Sequence, residues 1–194
     1  MNPCTMSRAD LTRELLDPAS VADTKTTSPH VEDDEVAYPR GGRQGASLER
    51  KLDVARELLM RDLKAQMCKG PVMQSPQALR QWLVLHCAPL DHEVFLVLYL
   101  TVQNQLIEAE ELFRGTLTQT SIYPRELVKG AIQRNAAAVV VAHNHPSGGI
   151  QPSRADEQLT QTLKNALALV DVRVLDHFIV AGDQTLSFAE RGLL

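Results

Sequence analysis

Aromatic side chains are scarce in this chain, with four Phe, three Tyr and one Trp among 194 residues. A core built on them is excluded. The interior must be aliphatic, and Val, Leu, Ile and Ala do crowd the second half of the sequence. Cysteine is sparse too: Cys4, Cys68 and Cys87 lie far apart with no C-x-x-C, which excludes a disulfide framework and a thiolate metal site. A reduced, cytoplasmic compartment is the expectation that follows. No apolar run approaches the ~20 residues that cross a bilayer. The N-terminal stretch, dotted with Asp, Glu and Arg, has no apolar core of the signal-peptide kind. A soluble protein without a membrane partner is therefore expected. Basic charge is also not in excess, since 20 Lys and Arg against 24 Asp and Glu leave a formal charge of -4. That balance lacks the field that draws nucleic acid non-specifically.

What is present divides the chain in three. Residues 1–46 mix Ser, Thr, Asp, Pro and Gly with few large apolar side chains, and read as a disordered tail with a short helix near Arg8–Leu16. His30, in this tail, reads as a solvated histidine. Residues 47–70 form an N-terminal helix and linker: Leu48, Leu52, Ala55, Leu59 and Leu63 recur at spacings of three and four, and Lys69-Gly70-Pro71 stops them. Residues 71–194 form the main domain. Ser75 and Pro76 start a helix to about His86, with His86 and Cys87 as packing residues. The run Val94–Leu100 is apolar on both faces and marks a central strand. Gln103-Asn104 turns it into a strand over 105–111, followed by another over 112–117. Pro124 opens a helix that Asn135 ends. An apolar strand at 136–142 precedes a helix from Ser153 to about Val170. Strands at 172–180 and 184–189, joined at Ala181-Gly182-Asp183, finish the chain. The fold class is α/β, a mixed β-sheet flanked by helices.

The chemistry gathers in Ala142-His143-Asn144-His145-Pro146-Ser147-Gly148-Gly149, which leads to Ser153-Arg154-Ala155-Asp156. Alternation along an extended segment points His143 and His145 the same way, and Asp156 lies in the first turn of the next helix. Two imidazoles and a carboxylate with room for a fourth ligand compose a catalytic rather than a structural zinc site. Ser153 and Asp156 also have the spacing of a helix cap and its acidic partner. Gly148 and Gly149 suit either a tight turn or a groove in which an extended peptide lies close to the backbone.

His143-Asn144-His145-Pro146, six residues, Ser153, two residues and Asp156 resemble the His-x-His-Pro…Ser-x-x-Asp signature of the JAMM (MPN) metalloprotease domain. Tyr123-Pro124-Arg125-Glu126, Leu175-Asp176-His177 and Ser187-Phe188-Ala189-Glu190-Arg191-Gly192 resemble its bacterial RadC-like branch, so that 71–194 looks like a RadC-like MPN domain. The resemblance implies an MPN (cytidine-deaminase-like) three-layer arrangement and one Zn(2+) per chain, held by His143, His145 and Asp156. It further implies that Glu93 is the general base and acid on the attacking water and that Ser153 donates to the oxyanion. Glu108, Glu110 and Glu111 are the competing glutamates. His177 reads as a neighbour of the ligands or a core residue, and Asp176 as a group able to orient a ligating ring. The expected activity is hydrolysis of a peptide or isopeptide bond in a peptide or protein substrate. The alternative is a DNA-associated repair factor or nuclease-like enzyme; the helix-hairpin-helix module of longer relatives is not found.

Overall fold

Seven consecutive residues, Val94–Leu100, are fully buried, and so are the seven of Ala138–Asn144. Strands apolar on both faces belong in the middle of a sheet covered on both sides, and that is where these two lie. The computed structural model describes residues 2–17, 44–87, 89–115 and 122–194, and the chain divides into two compact units, Met1–Arg61 and Asp62–Leu194.

In the first unit a 3-10 turn, Pro3–Thr5, precedes α1, Arg8–Leu16, the short helix the sequence indicated. Ser7 caps α1 by accepting from the Asp10 N–H at 3.2 Å. The rest of the tail read as disordered, 18–43 with His30, lies outside the described residues. Helix α2, Gln44–Lys69, begins three residues earlier than its apolar stripe and has its first two-thirds in this unit. Arg50 pairs with Glu14, and the Arg61 guanidinium donates to the Met6 carbonyl at 2.9 Å, tying α2 to the N-terminal turn and α1. No described helix is long and apolar enough to cross a membrane.

The second unit holds a five-stranded mixed sheet in the order β2-β1-β3-β4-β5. The strands are β1, Glu93–Leu100; β2, Leu106–Gly115; β3, Ala138–Asn144; β4, Arg173–Ala181; and β5, Gln184–Ser187. Helix α3, Pro76–Cys87, precedes the sheet; α4, Pro124–Gln133, and α5, Arg154–Ala168, flank β3 in sequence. Strand β1 runs antiparallel to both β2 and β3, whereas β3 and β4 are parallel, joined through α5. One face of the sheet carries Phe95, Val97, Tyr99, Val139 and Val141, and packs on Leu127 and Ala131 of α4 and Leu163 and Leu167 of α5. Helix α3 lies against β4 and β5, with Arg80 over the Phe178 ring at 5.1 Å. Helix, sheet and helix make three layers, as the family resemblance implied. Each aliphatic side chain buried between them contributes roughly 1.5–3 kcal/mol.

Two expectations need correction. The strands read at 105–111 and 112–117 are one strand, β2, Leu106–Gly115; positions 116 and 117 lie outside the described residues. Phe95 pairs with Phe113 but Leu96 with Glu111, so Leu112 is the extra residue of a bulge. A bulge breaks the period-two alternation, which imitates a strand boundary in sequence. At the other end β5 stops at Ser187, where the chain turns into α6, Phe188–Arg191. Ser187 caps it by accepting from the Glu190 N–H at 3.1 Å, and Gly192 closes it at φ +68°.

Candidate metal centre

The parallel pair β3 and β4 sends both carboxyl ends the same way, and α5 starts from the loop after β3. His143 is the penultimate residue of β3 and fully buried; His145, half-buried, follows where the loop begins. Asp156 is delivered by a capping box. The Ser153 hydroxyl and N–H each donate to Asp156 Oδ2 at 2.7 Å, while Ser153 Oγ accepts from the Asp156 N–H at 3.2 Å. These bonds leave Oδ1 turned to His143 Nε2, 3.3 Å away.

His143 Nε2 and His145 Nε2 stand 2.9 Å apart, and Asp156 Oδ2 is 3.9 Å from His145 Nε2. A tetrahedral zinc with bonds of about 2.1 Å separates its ligand atoms by about 3.4 Å, and the observed spacings bracket that value. Among the described residues, these three are the group of His, Cys, Asp and Glu whose ligand atoms gather this closely.

The hydrogen bonds behind the ligands decide which nitrogens carry protons. The Thr160 hydroxyl donates to the Asp156 carbonyl at 2.6 Å and therefore accepts from His177 Nδ1, also at 2.6 Å. His177 Nε2 is then an acceptor, and takes the Nδ1–H of His143 at 2.8 Å. His145 Nδ1 donates to the Gly149 carbonyl at 2.5 Å, within a loop that Gly148 turns at φ +86°. Both Nε2 atoms are left with lone pairs, aimed at each other and at a carboxylate. Three acceptors cannot bond one another; a proton or a metal cation between them reconciles the arrangement. Burial pushes the His143 imidazole down to about 4, against the opposing pull of Asp156, and lowers His177 well below the ordinary range. Phe95 stacks on His143 and meets His177 edge-on, and Phe188 packs against His177 with ring centroids 4.6 Å apart. Near neutral pH both rings are neutral, the form a metal ligand requires.

Glu93 opens β1. Phe95 is directly opposite His143, so alternation puts Glu93 on the same face as Phe95, two residues before the point where the β1–β3 pairing ends. Ser153 sits at the α5 N-terminus with its hydroxyl engaged by Asp156. The competing glutamates are elsewhere: Glu108 and Glu110 bind Arg134, and Glu111 binds His86 and Arg114. His177 is indeed a neighbour of a ligand. Asp176 does not orient a ring. It faces away from its neighbour's imidazole, accepting from Ser187 Oγ at 2.5 Å, the Ala189 N–H at 3.0 Å and the His177 N–H at 2.7 Å, and so holds the β5–α6 corner. Two residues escaped the sequence reading, Thr160 and Asn144. Thr160 had a signal, because it lies one helical turn after Asp156 on the same face.

Residues 73–193, well over half of the chain, match the family described as the RadC-like JAB domain. Similar curated proteins include a UPF0758 protein of Leptothrix cholodnii, 58% identical over 77% of this chain and 68% of its own length. Another, from Aromatoleum aromaticum, is 63% identical over 74% of this chain and 64% of its own length. A third, from Albidiferax ferrireducens, is 54% identical over 85% and 70% respectively. The chain thus spans about two thirds of the length of these relatives.

Proposed function

The chain belongs to the RadC-like JAB-domain family, and on that premise we propose that it is a zinc-dependent hydrolase of the JAMM type, a metallopeptidase acting on a peptide or isopeptide bond. The observation that carries this reading is the convergence of the two Nε2 atoms, each with its ring's Nδ1 engaged elsewhere, and the Asp156 carboxylate on one point. Zinc bound there would supply Lewis acidity, bringing the pKa of water to about 7. Glu93 takes a proton from the attacking water and returns it to the departing nitrogen. Ser153, released from Asp156, donates its hydroxyl to the oxygen that gains charge as the carbonyl carbon is attacked. His177 and Thr160 hold His143 in the tautomer that keeps Nε2 bare. A nuclease or DNA-repair activity has less behind it, given the formal charge of -4.

The test is a series of wild type, His143→Ala, Asp156→Ala and Glu93→Gln, assayed for bound metal and for hydrolysis of fluorescein-labelled casein, with plasmid nicking alongside. Stoichiometric zinc in wild type and Glu93→Gln, its loss from the other two, and cleavage by wild type alone are expected. A wild type that stays metal-free in chelator-free buffer with added zinc overturns the reading. Metal-dependent nicking without peptide cleavage replaces it with the nuclease.

A further inference from the structure

Between the two histidines stands Asn144, 3% exposed, whose side chain alternates to the opposite face of the sheet. The β1–β3 pairing ends at Phe95 and His143, while the pairing of β3 with β4 runs one residue further: Asn144 pairs with Val180, and the His145 N–H donates to the Val180 carbonyl at 2.8 Å. Where the backbone ladder lets go of β1, the Asn144 amide takes it up. Its Oδ1 accepts from the Val94 N–H at 2.7 Å, and its Nδ2 donates to the His92 carbonyl at 3.0 Å.

Those two groups belong to the peptide planes on either side of the Glu93 Cα. Anchoring both planes fixes φ and ψ of Glu93, and with them the direction of its Cα–Cβ bond. The task needs one acceptor and one donor on a short side chain. A primary amide has both, a carboxylate lacks the donor, and an aliphatic residue lacks both.

We propose that Asn144 is a positioning residue that locks Glu93 to the strand carrying the metal ligands. The inference rests on the reading of Glu93 as the base. It makes the middle residue of His-Asn-His part of the catalytic geometry: the ligands face one side of β3, and the residue between them reaches from the other side to fix where the carboxylate stands. A displacement of about 1 Å at a reacting group costs on the order of 100-fold in rate, so rigidity at this joint is a catalytic property.

The test uses the full chain with 13C-labelled Glu carboxyls, titrated with zinc sulfate, with the Glu93 resonance assigned by Glu93→Gln. In wild type that resonance shifts as zinc is added. In Asn144→Ala the shift falls to less than half, while zinc affinity changes by less than the ~10-fold that losing a partner of a ligating ring causes. Exchange of the Val94 amide speeds up by about tenfold, as loss of one hydrogen bond worth about 1.4 kcal/mol requires, and the Leu98 amide stays protected. Asn144→Asp keeps the Val94 bond and loses the other, so its response is intermediate; it carries the test if the alanine variant does not fold. A full Glu93 response in Asn144→Ala, or loss of zinc there, overturns the positioning role and leaves the hydrolase reading standing. A wild-type Glu93 resonance indifferent to zinc removes Glu93 as the base, and this proposal with it.

Discussion

Two polar clusters sit on the same helix-covered face of the sheet, and they differ in how their donors and acceptors add up. Beneath α4, the Tyr99 hydroxyl donates to Glu110 at 2.9 Å, and Arg134 pairs with Glu108 and Glu110 while lying 4.4 Å over the Tyr99 ring. Gly130 is there because a Cβ would come within 2.2 Å of the Tyr99 oxygen. Cation, anions and hydroxyl answer one another, and this cluster is complete as it stands. At the carboxyl ends of β3 and β4 the sum does not close in the same way, since the neutral rings turn two Nε2 lone pairs toward each other and toward a carboxylate. That difference between two otherwise similar networks separates a structural cluster from one able to hold a metal.

The strongest way to break the comparison is to add the ligand. Zinc at about 1,000 times its dissociation constant should stabilise wild type by ~4 kcal/mol. It should do the same for Tyr99→Phe and do nothing for Asp156→Ala, as read by thermal unfolding. Equal stabilisation of all three would erase the distinction.

Proton titration of the metal-free protein sharpens it next. The folded pKa of His143 lies near 4 and that of His177 is also depressed by burial, below an ordinary value of 6.5, so the unfolded chain binds more protons between those limits. Stability therefore falls as pH drops through that window, by ~3 kcal/mol for His143. Tyr99 works the other way: burial, with Glu110, raises its folded pKa above 10, so its contribution is present below pH 10 and is lost as pH rises beyond it. Denaturant midpoints from pH 4 to 7, then from pH 9 upwards, should show the acid loss weakened by His177→Phe and the alkaline loss removed by Tyr99→Phe.

The smallest effects separate affinity from stability. Thr160→Val leaves His177 Nδ1 without its acceptor and should weaken zinc binding by 10–100-fold, measured by chelator competition. Tyr99→Phe should cost about 1 kcal/mol in unfolding free energy and leave zinc affinity alone.

How much of this was legible in the sequence depends on how local each feature is. His143, His145 and Asp156 could be read because alternation, a turn and a Ser-x-x-Asp helix start are neighbourhood properties. Strand β1 announced itself through seven apolar residues. Asn144 gave no sign, because its partners, His92 and Val94, come from the pairing of β1 with β3 some fifty residues away. The β2 bulge was invisible for the same reason: Leu112 is extra only relative to the register of β1. Asp176 misled because adjacency to His177 in sequence means opposition across a strand. The α6 helix had its Ser-x-x-Glu start in plain view, and the apolar pair Phe188-Ala189 within it read as the end of a longer strand instead.

The bond from His145 Nδ1 to the Gly149 carbonyl closes a small ring in the exposed loop after β3, with Gly148 as its bend. His143 is walled in by Phe95 and His177, whereas His145 can swing only if that ring opens. A metal held by these three side chains would then exchange no faster than that short glycine-bearing loop opens, through residues that never touch the ion. Stiffening that bend would slow both capture and release, leaving affinity nearly unchanged while lengthening the time each ion stays.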